Sequence, residues 1–522
     1  MKNRTIIFLC MMSFCSTLVW GQTWNLSATM TAVLDNNVLT ISTTLDAEAI
    51  PESKDFISSW HDDHRDDIHS VVIEDGVTSV SSWLFAHHAY LTSVTMANTV
   101  SVIGGWAFYN CGSLPMITIP EGVTTLQHAA FKLCGSLKEV YIPASVTSIE
   151  GEMFVECSQL ETIHVHADNL VYSSDEGVLY DKDQTTLIIY PEGKSDATFE
   201  IPSTVEQIYA NAFYNSRIET ITISNSITRI GQGAFLSSNH LTTILIPASV
   251  EEIEAGAFAS CANLTSISVD AGNKSYTSDG GILYNFDKTL LHSYPAGISG
   301  DFTVPSFVLT IGAHAFSSCD LLTSVTMPNT ITSMGEAVFI DCSNLKSVTL
   351  SNELTEIPGW AFSKCYNLAS ITIPRSVIEL GQAAFEACTG LTEVTVEWET
   401  PLEVSFDNNV FYEVNTPDVT LFVPAGTKHL YQDAEVWMYF GIEEYEFSGN
   451  EKIEAATLKA YASNGILCIT GLTPGTPLYI YNITGQLLYS GMAKAEETQL
   501  PIAWRGVCVV VAGAQCVKVN GL

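Results

Sequence analysis

The sequence predicts a mainly β solenoid: short coils of about 23 residues stacked on one another, capped at the amino-terminal end, with a small β-module behind them. Two observations carry this. Phenylalanines recur at 85, 108, 131 and 154, at 213, 235 and 258, and at 316, 339, 362 and 385, in steps of 23 residues, once 22. Around each, apolar residues keep one phase: residues 137–159 read Leu137, Val140, Ile142, Pro143, Val146, Ile149, Phe154 and Cys157, and residues 114–134 repeat the series.

The physics of one coil explains its letters. In residues 137–142 Val140 and Ile142 alternate with Glu139 and Tyr141, the pattern of a short strand with one buried face. Pro143 lacks a donor and ends the ladder. Val146, Ile149, Phe154 and Cys157 fill the interior as the chain turns back. One coil cannot bury these side chains alone, so coils must stack and adjacent strands pair in parallel.

The recurring motif L-x-x-I-x-I-P-x-x-V-x-x-I-x-x-x-A-F-x-x-C, carried in at least eleven coils, resembles the BspA-like leucine-rich repeat (LRR) family of bacterial surface proteins. The resemblance implies a leucine-rich-repeat solenoid over residues 68–447, an extracellular place at the cell surface, and a role in adhesion or protein recognition. It supplies no ligand.

Charge narrows the partners. Twenty-one Lys and Arg stand against 57 Asp and Glu, a net charge of −36. No basic cluster lies beyond the first residues, which argues against nucleic acid. Residues 1–21 have the layout of a secretory signal peptide: Lys2 and Arg4, an apolar run, then Val19 and Gly21 as small residues before a cleavage between Gly21 and Gln22. Export suggests disulfides for thirteen cysteines, but eight (Cys111, Cys134, Cys157, Cys261, Cys319, Cys342, Cys365 and Cys388) stand three residues after a repeat phenylalanine. That column reads as a ladder of small buried thiols. His88, Ser216 and Ser238 take the slot in other coils, so free thiols are expected, although neighbouring coils are near enough for a bridge.

In chain order, residues 22–67 depart from the repeat. A hairpin is expected around Asp35-Asn36-Asn37, forming a cap over the first coil. Two breaks, Phe154 to Phe213 and Phe258 to Phe316, are copies 104 residues apart: Gly177-Val178-Leu179-Tyr180 answers Gly281-Ile282-Leu283-Tyr284. Each is expected to hold a hairpin insertion, near 168–198 and 272–300. After Phe385 the motif decays, and Tyr431, Trp437 and Phe440 are expected to seal the end. Residues 449–454 read as a linker. Residues 455–522, with β-type runs at 466–470, 478–482, 486–489 and 507–511, suggest a β-sandwich-like domain. The 481–489 segment with Arg505-Gly506-Val507 and Lys518-Val519 is similar to carboxy-terminal sorting domains of Gram-negative anaerobes, which implies surface attachment.

Candidate sites fall in three groups. His61 and His64 with Asp62, Asp63, Asp66 and Asp67 could offer metal ligands, but the spacing fits no metal motif and a solvated loop is expected. Asp181-Lys182-Asp183 with Asp175-Glu176 could bind calcium, but the copy reads Asn285-Phe286-Asp287. No metal or other cofactor is expected. No G-x-S-x-G, H-E-x-x-H, P-loop or dinucleotide fingerprint occurs, which argues against an enzyme. The third group is the outward strand face, mostly Thr and Ser, which suits an exposed sheet for packing reasons alone. Met116, Glu139, Tyr141, Thr162, His164, Thr222 and Leu245 are its candidate contacts. The expected function is recognition of a protein in host or cell–cell adhesion. A surface glycan taken by the same face and a secreted hydrolase with an unrecognised site remain as alternatives.

Overall fold

The computed structural model describes residues 21–52 and 63–445 and most of 459–520. The expected leader, Gly21 apart, lies outside the described residues, as do His61, Asp62 and the linker at 449–454. The chain divides into two compact units: one takes in the residues up to Val423 with Thr427–Glu443, the other Pro424–Gly426 with Glu444–Leu522.

The first unit is the solenoid, and each coil contributes two strands rather than one. The outward-alternating strand comes first, as in Glu139–Ile142. It pairs in parallel at the coil step, Glu139 opposite Met116 on one side and Thr162 on the other. A second, two-residue strand follows, as in Thr125–Leu126 and Ser148–Ile149, and builds a narrow parallel ladder on another side of the coil. Peptide groups beside the buried Val146 must be paired, and this ladder pairs them. The third side is a turn. The residues two before and two after the phenylalanine hold positive φ, as Trp106 (54°) and Asn110 (58°) do around Phe108. Even there coils are bonded: the Phe108 amide donates to Ala130 O at 2.9 Å.

The phenylalanines form a ring column, Phe108 on Phe131 at 5.3 Å and 2°. The column also contains Tyr190, Tyr294 and Phe411, at 5.3, 5.0 and 5.3 Å from Phe213, Phe316 and Phe385. The motif therefore continues for one coil beyond Phe385, with a longer step. Beside the column the eight repeat thiols are free and buried. Seven donate to the carbonyl of the phenylalanine one coil earlier, for example Cys134 Sγ to Phe108 O at 3.2 Å and Cys388 Sγ to Phe362 O at 3.0 Å. Ser238 Oγ does the same to Phe213 O at 2.6 Å.

The hairpin Met30–Asp35 with Val38–Thr43 lays its second strand in parallel against Ser70–Ile73, the first repeat strand. Both breaks are shorter excursions than the sequence suggested. Tyr172–Asp175 and Val178–Asp181 form the hairpin, but Thr186–Ile189 already rejoins the narrow ladder by pairing with Gln207–Ile208, well before residue 198. The second break matches, with Leu290–Ser293 rejoining at Thr310–Ile311. The reason is Tyr190 and Tyr294, which fill the phenylalanine slot and so make each break a complete coil carrying a hairpin.

The hairpins divide the interior into three cores. Leu179 packs in the first, while Val178 and Tyr180 pack in the second. Leu283 packs in the second, and Ile282 and Tyr284 in the third. At the far end Tyr431, Trp437 and Phe440 are buried; the Tyr431 hydroxyl donates to Trp398 O at 2.7 Å and the Trp437 indole to Leu402 O at 2.8 Å.

In the second unit, Lys459–Ser463, Ile466–Thr470 and Glu497–Pro501 form one antiparallel sheet. Leu487–Met492, Pro477–Asn482, Val507–Ala512 and Gln515–Asn520 form another. Leu467, Ile469, Leu478, Ile480, Val510 and Val519 share its core.

Candidate functional site

On the outward face the strand pairing brings Glu139, Tyr141 and His164 together. Tyr141 stands opposite His164 in register, and the rings stack at 4.5 Å and 15°. The Tyr141 hydroxyl donates to Glu139 Oε2 at 2.8 Å, one pleat along the same strand. The same oxygen lies 3.9 Å from His164 Nε2. The bond to the Glu139 carboxylate, which strengthens while the phenol keeps its proton, raises the Tyr141 pKa above its ordinary value, with slight desolvation and the nearby charge adding to it. Exposed Met116, opposite Glu139, extends the patch by one coil. The result is a flat aromatic pair with a carboxylate at its edge and a soft apolar side chain beside it.

Thr162, opposite Glu139, is partly covered, and Thr222 and Leu245 stand apart. Thr162 is only half-exposed, because the first hairpin turns directly over it: Ile163 N donates to Gly177 O at 3.0 Å. Gly177 holds φ +83°, and a Cβ there would come within 3.1 Å of Thr162 Cα, so only glycine lets the hairpin close this tightly. Thr222 and Leu245 are exposed but lie beyond that hairpin, opposite Glu200 and Ser268. The outward face is therefore not one uninterrupted sheet, because each hairpin occupies the place of a neighbouring strand.

The internal copy serves as a control. At the positions 104 residues on, Glu139, Tyr141 and His164 become Thr243, Leu245 and Ser268. The pairing there is the same, Leu245 opposite Ser268, and the second hairpin bonds identically, Ile267 N to Gly281 O at 2.8 Å. The coil needs neither the ring pair nor the carboxylate in order to fold.

The other candidates have local partners. His64 Nδ1 sits 3.1 Å from Asp67 Oδ2. Among the described residues no three His, Cys, Asp or Glu side chains come together as a metal-holding group. The Asp181 carboxylate accepts from Thr185 N, Thr185 Oγ1 and Thr186 N at 2.6–3.0 Å. Asn285 repeats this turn with a neutral amide, accepting from Leu290 N at 2.9 Å. His88 lies buried in the cysteine slot, Nδ1 3.1 Å from Ala86 O. Sequence reasoning missed the indole pair Trp83 and Trp106, stacked at 4.9 Å on the turn side. Their spacing of 23 residues was the available signal.

The BspA type leucine rich repeat region matches the chain in six copies, over residues 63–175, 193–279 and 299–423. Among solved structures the chain is similar to a leucine-rich repeat protein from Eubacterium ventriosum, at 29% identity over 70% of this chain and 95% of that one, with a TM-score of 0.47. It is also similar to a leucine rich cell surface protein from Faecalibacterium prausnitzii, at 24% identity over 82% and 96%, TM-score 0.42. A leucine-rich repeat protein from Bacteroides ovatus shares 19% identity over 80% and 99%, TM-score 0.32. No curated protein matches the chain.

Proposed function

The chain belongs to the BspA type leucine rich repeat family, and from that premise we propose that it is a recognition protein of the cell exterior, whose outward strand face binds a protein partner in adhesion through Glu139, Tyr141, His164 and Met116. The observation that carries this reading is the internal copy: the same scaffold folds with Thr243, Leu245 and Ser268, so the stacked pair and its carboxylate are surplus to folding. Aromatic side chains held flat and half in water are the usual anchors of protein contacts, because they offer large area at low entropic cost. The net charge of −36 favours a partner with a basic or neutral patch over an acidic one. The leader-like residues 1–21 support export, and the carboxy-terminal unit, by its resemblance to sorting domains, supports retention at the surface.

The test is a transplant. The full chain is screened against immobilised extracellular-matrix and cell-surface proteins. The strongest binder is then titrated against Tyr141→Ala/His164→Ala and against Thr243→Glu/Leu245→Tyr/Ser268→His. Loss in the first variant and a second equivalent of binding in the other support the reading. Unchanged stoichiometry and affinity in both refute it.

A further inference from the structure

The carboxy-terminal end of the solenoid carries a bowl of about 400 Å³ that the strand-face reading does not use. Three aromatic side chains stand around it with about half their surface in water: Phe406 at 60%, Tyr412 at 54% and Tyr439 at 51% exposure. Phe406 and Tyr439 meet edge to face, 6.3 Å between centroids. Asn409, Glu413 and Thr416 add an amide, a carboxylate and a hydroxyl to the same wall. Among the described residues none of these three side chains is held in a hydrogen bond inside the protein.

Packing does not require these rings. Tyr412 follows the column residue Phe411, and in the four preceding coils that place is held by Ser317, Ile340, Ser363 and Glu386. The backbone at the lip is also strained. Val436, which lines the bowl, sits at φ 69° and ψ −50° with Trp437 N bonded to Glu435 O at 2.8 Å, the tight γ-turn that a β-branched residue adopts least willingly. The buried Trp437 and its bond to Leu402 O hold that turn, and Tyr439 follows it to the rim. Strain of this kind persists where the surroundings over-determine it, and it concentrates at ligand sites.

We propose that this bowl binds a neutral pyranose unit of a glycan. The C–H face of a sugar ring carries slight positive charge and lies against the negative face of an aromatic ring, while its equatorial hydroxyls reach an amide, a carboxylate and a hydroxyl such as these. The volume lies in the range of small-ligand sites. Glu413 in the wall, with Asp407 and Glu435 beside Phe406 and Val436, disfavours a uronic or sialic acid.

The experiment uses the full chain and saturation-transfer NMR with methyl glucosides, galactosides and mannosides and their N-acetylamino counterparts. Glucuronate and phenylalanine amide serve as comparators. At least one neutral pyranoside is expected to bind. Phe406→Ala or Tyr439→Ala should weaken it about tenfold or more, Tyr439→Phe should retain most of it, and all three variants should keep the parent melting temperature. Tyr141→Ala/His164→Ala should leave sugar binding unchanged, which separates this site from the strand face. The proposal is overturned if no neutral pyranoside binds, if the Phe406→Ala/Tyr439→Ala double variant binds as well as the parent, or if glucuronate or phenylalanine amide is preferred.

Discussion

Tyr141 and His164 lie ring on ring, 4.5 Å apart, on adjacent parallel strands, and Glu139 accepts the tyrosine's hydroxyl from the next outward position. Parallel register at a fixed coil step makes such a pair inevitable once two consecutive coils carry rings in the same slot.

Replacing both rings with alanine should weaken protein binding by about 1 kcal/mol or more and shift stability by no more than about 0.5 kcal/mol, since both stand at the surface. Phe154→Ala should behave oppositely. Phe154 is buried in the ring column, and its loss should cost about 3–5 kcal/mol by opening a cavity. Denaturant melts beside surface plasmon resonance titrations distinguish the two outcomes.

The Glu139 contact can be read spectroscopically. With its hydroxyl donated to a carboxylate, Tyr141 should deprotonate above the ordinary tyrosine range. Glu139→Gln removes the charge and should move the titration back down, followed by NMR on ring-labelled tyrosine. A titration unaffected by the substitution would mean that the bond does not persist in solution.

The thiol column should be chemically silent in the folded state. Burial pushes Cys261 and Cys388 up to about 12, so these two offer almost no thiolate to an alkylating reagent at neutral pH, and all eight are buried away from it. Labelling of the eight repeat thiols should track unfolding. Cys134→Ser should be mild, because Ser238 already makes the same bond to Phe213 O. Cys134→Leu should overpack the stack and cost about 1–3 kcal/mol. Peptide mapping that found bridges along the column would contradict this account.

Glu192 should make stability fall as pH rises. Burial raises its carboxyl to about 7, against the bonds from Asn215 and the Glu156 amide that favour the charged form. The folded state therefore keeps a proton that the unfolded chain releases near the ordinary carboxyl value of 4.5. The contribution is fully present below that value, declines up to about pH 7, and is level beyond. Across that window the parent should lose about 2–3 kcal/mol relative to Glu192→Gln. The copy, which has Ala296 in this place, carries no such group. Parallel pH profiles for the two proteins would rule the effect out.

What could be read from the letters followed spacing. Phe108, Cys134 and the outward alternation of Glu139 and Tyr141 were legible because each recurs at a fixed step. Tyr190 and Tyr294 were not recognised as members of the ring column, because they come 36 residues after Phe154 and Phe258 and replace one aromatic by another. Two-residue strands such as Thr125–Leu126 are too short for any alternation to show. The left-handed turn positions carry Trp106, Lys364 or Glu413, residues that do not announce positive φ as glycine or asparagine would. The tie between Glu139, Tyr141 and His164 depended on strand register. The bowl depended on the last coil, where the regular step is lost.

The partition of the interior has a consequence for how such a chain changes length. The strands Val178–Asp181 and Ile282–Asn285 each send neighbouring side chains into different cores, and they are the same wall met twice, 104 residues apart. A gene segment cut within one wall and rejoined within the other adds or removes a whole cassette of coils, and every surface that results already has its fitted neighbour. Recombination can thus add or remove coils of the solenoid in finished pieces, and the outward slots of each new piece, which folding leaves unconstrained, are free to acquire a different set of contacts.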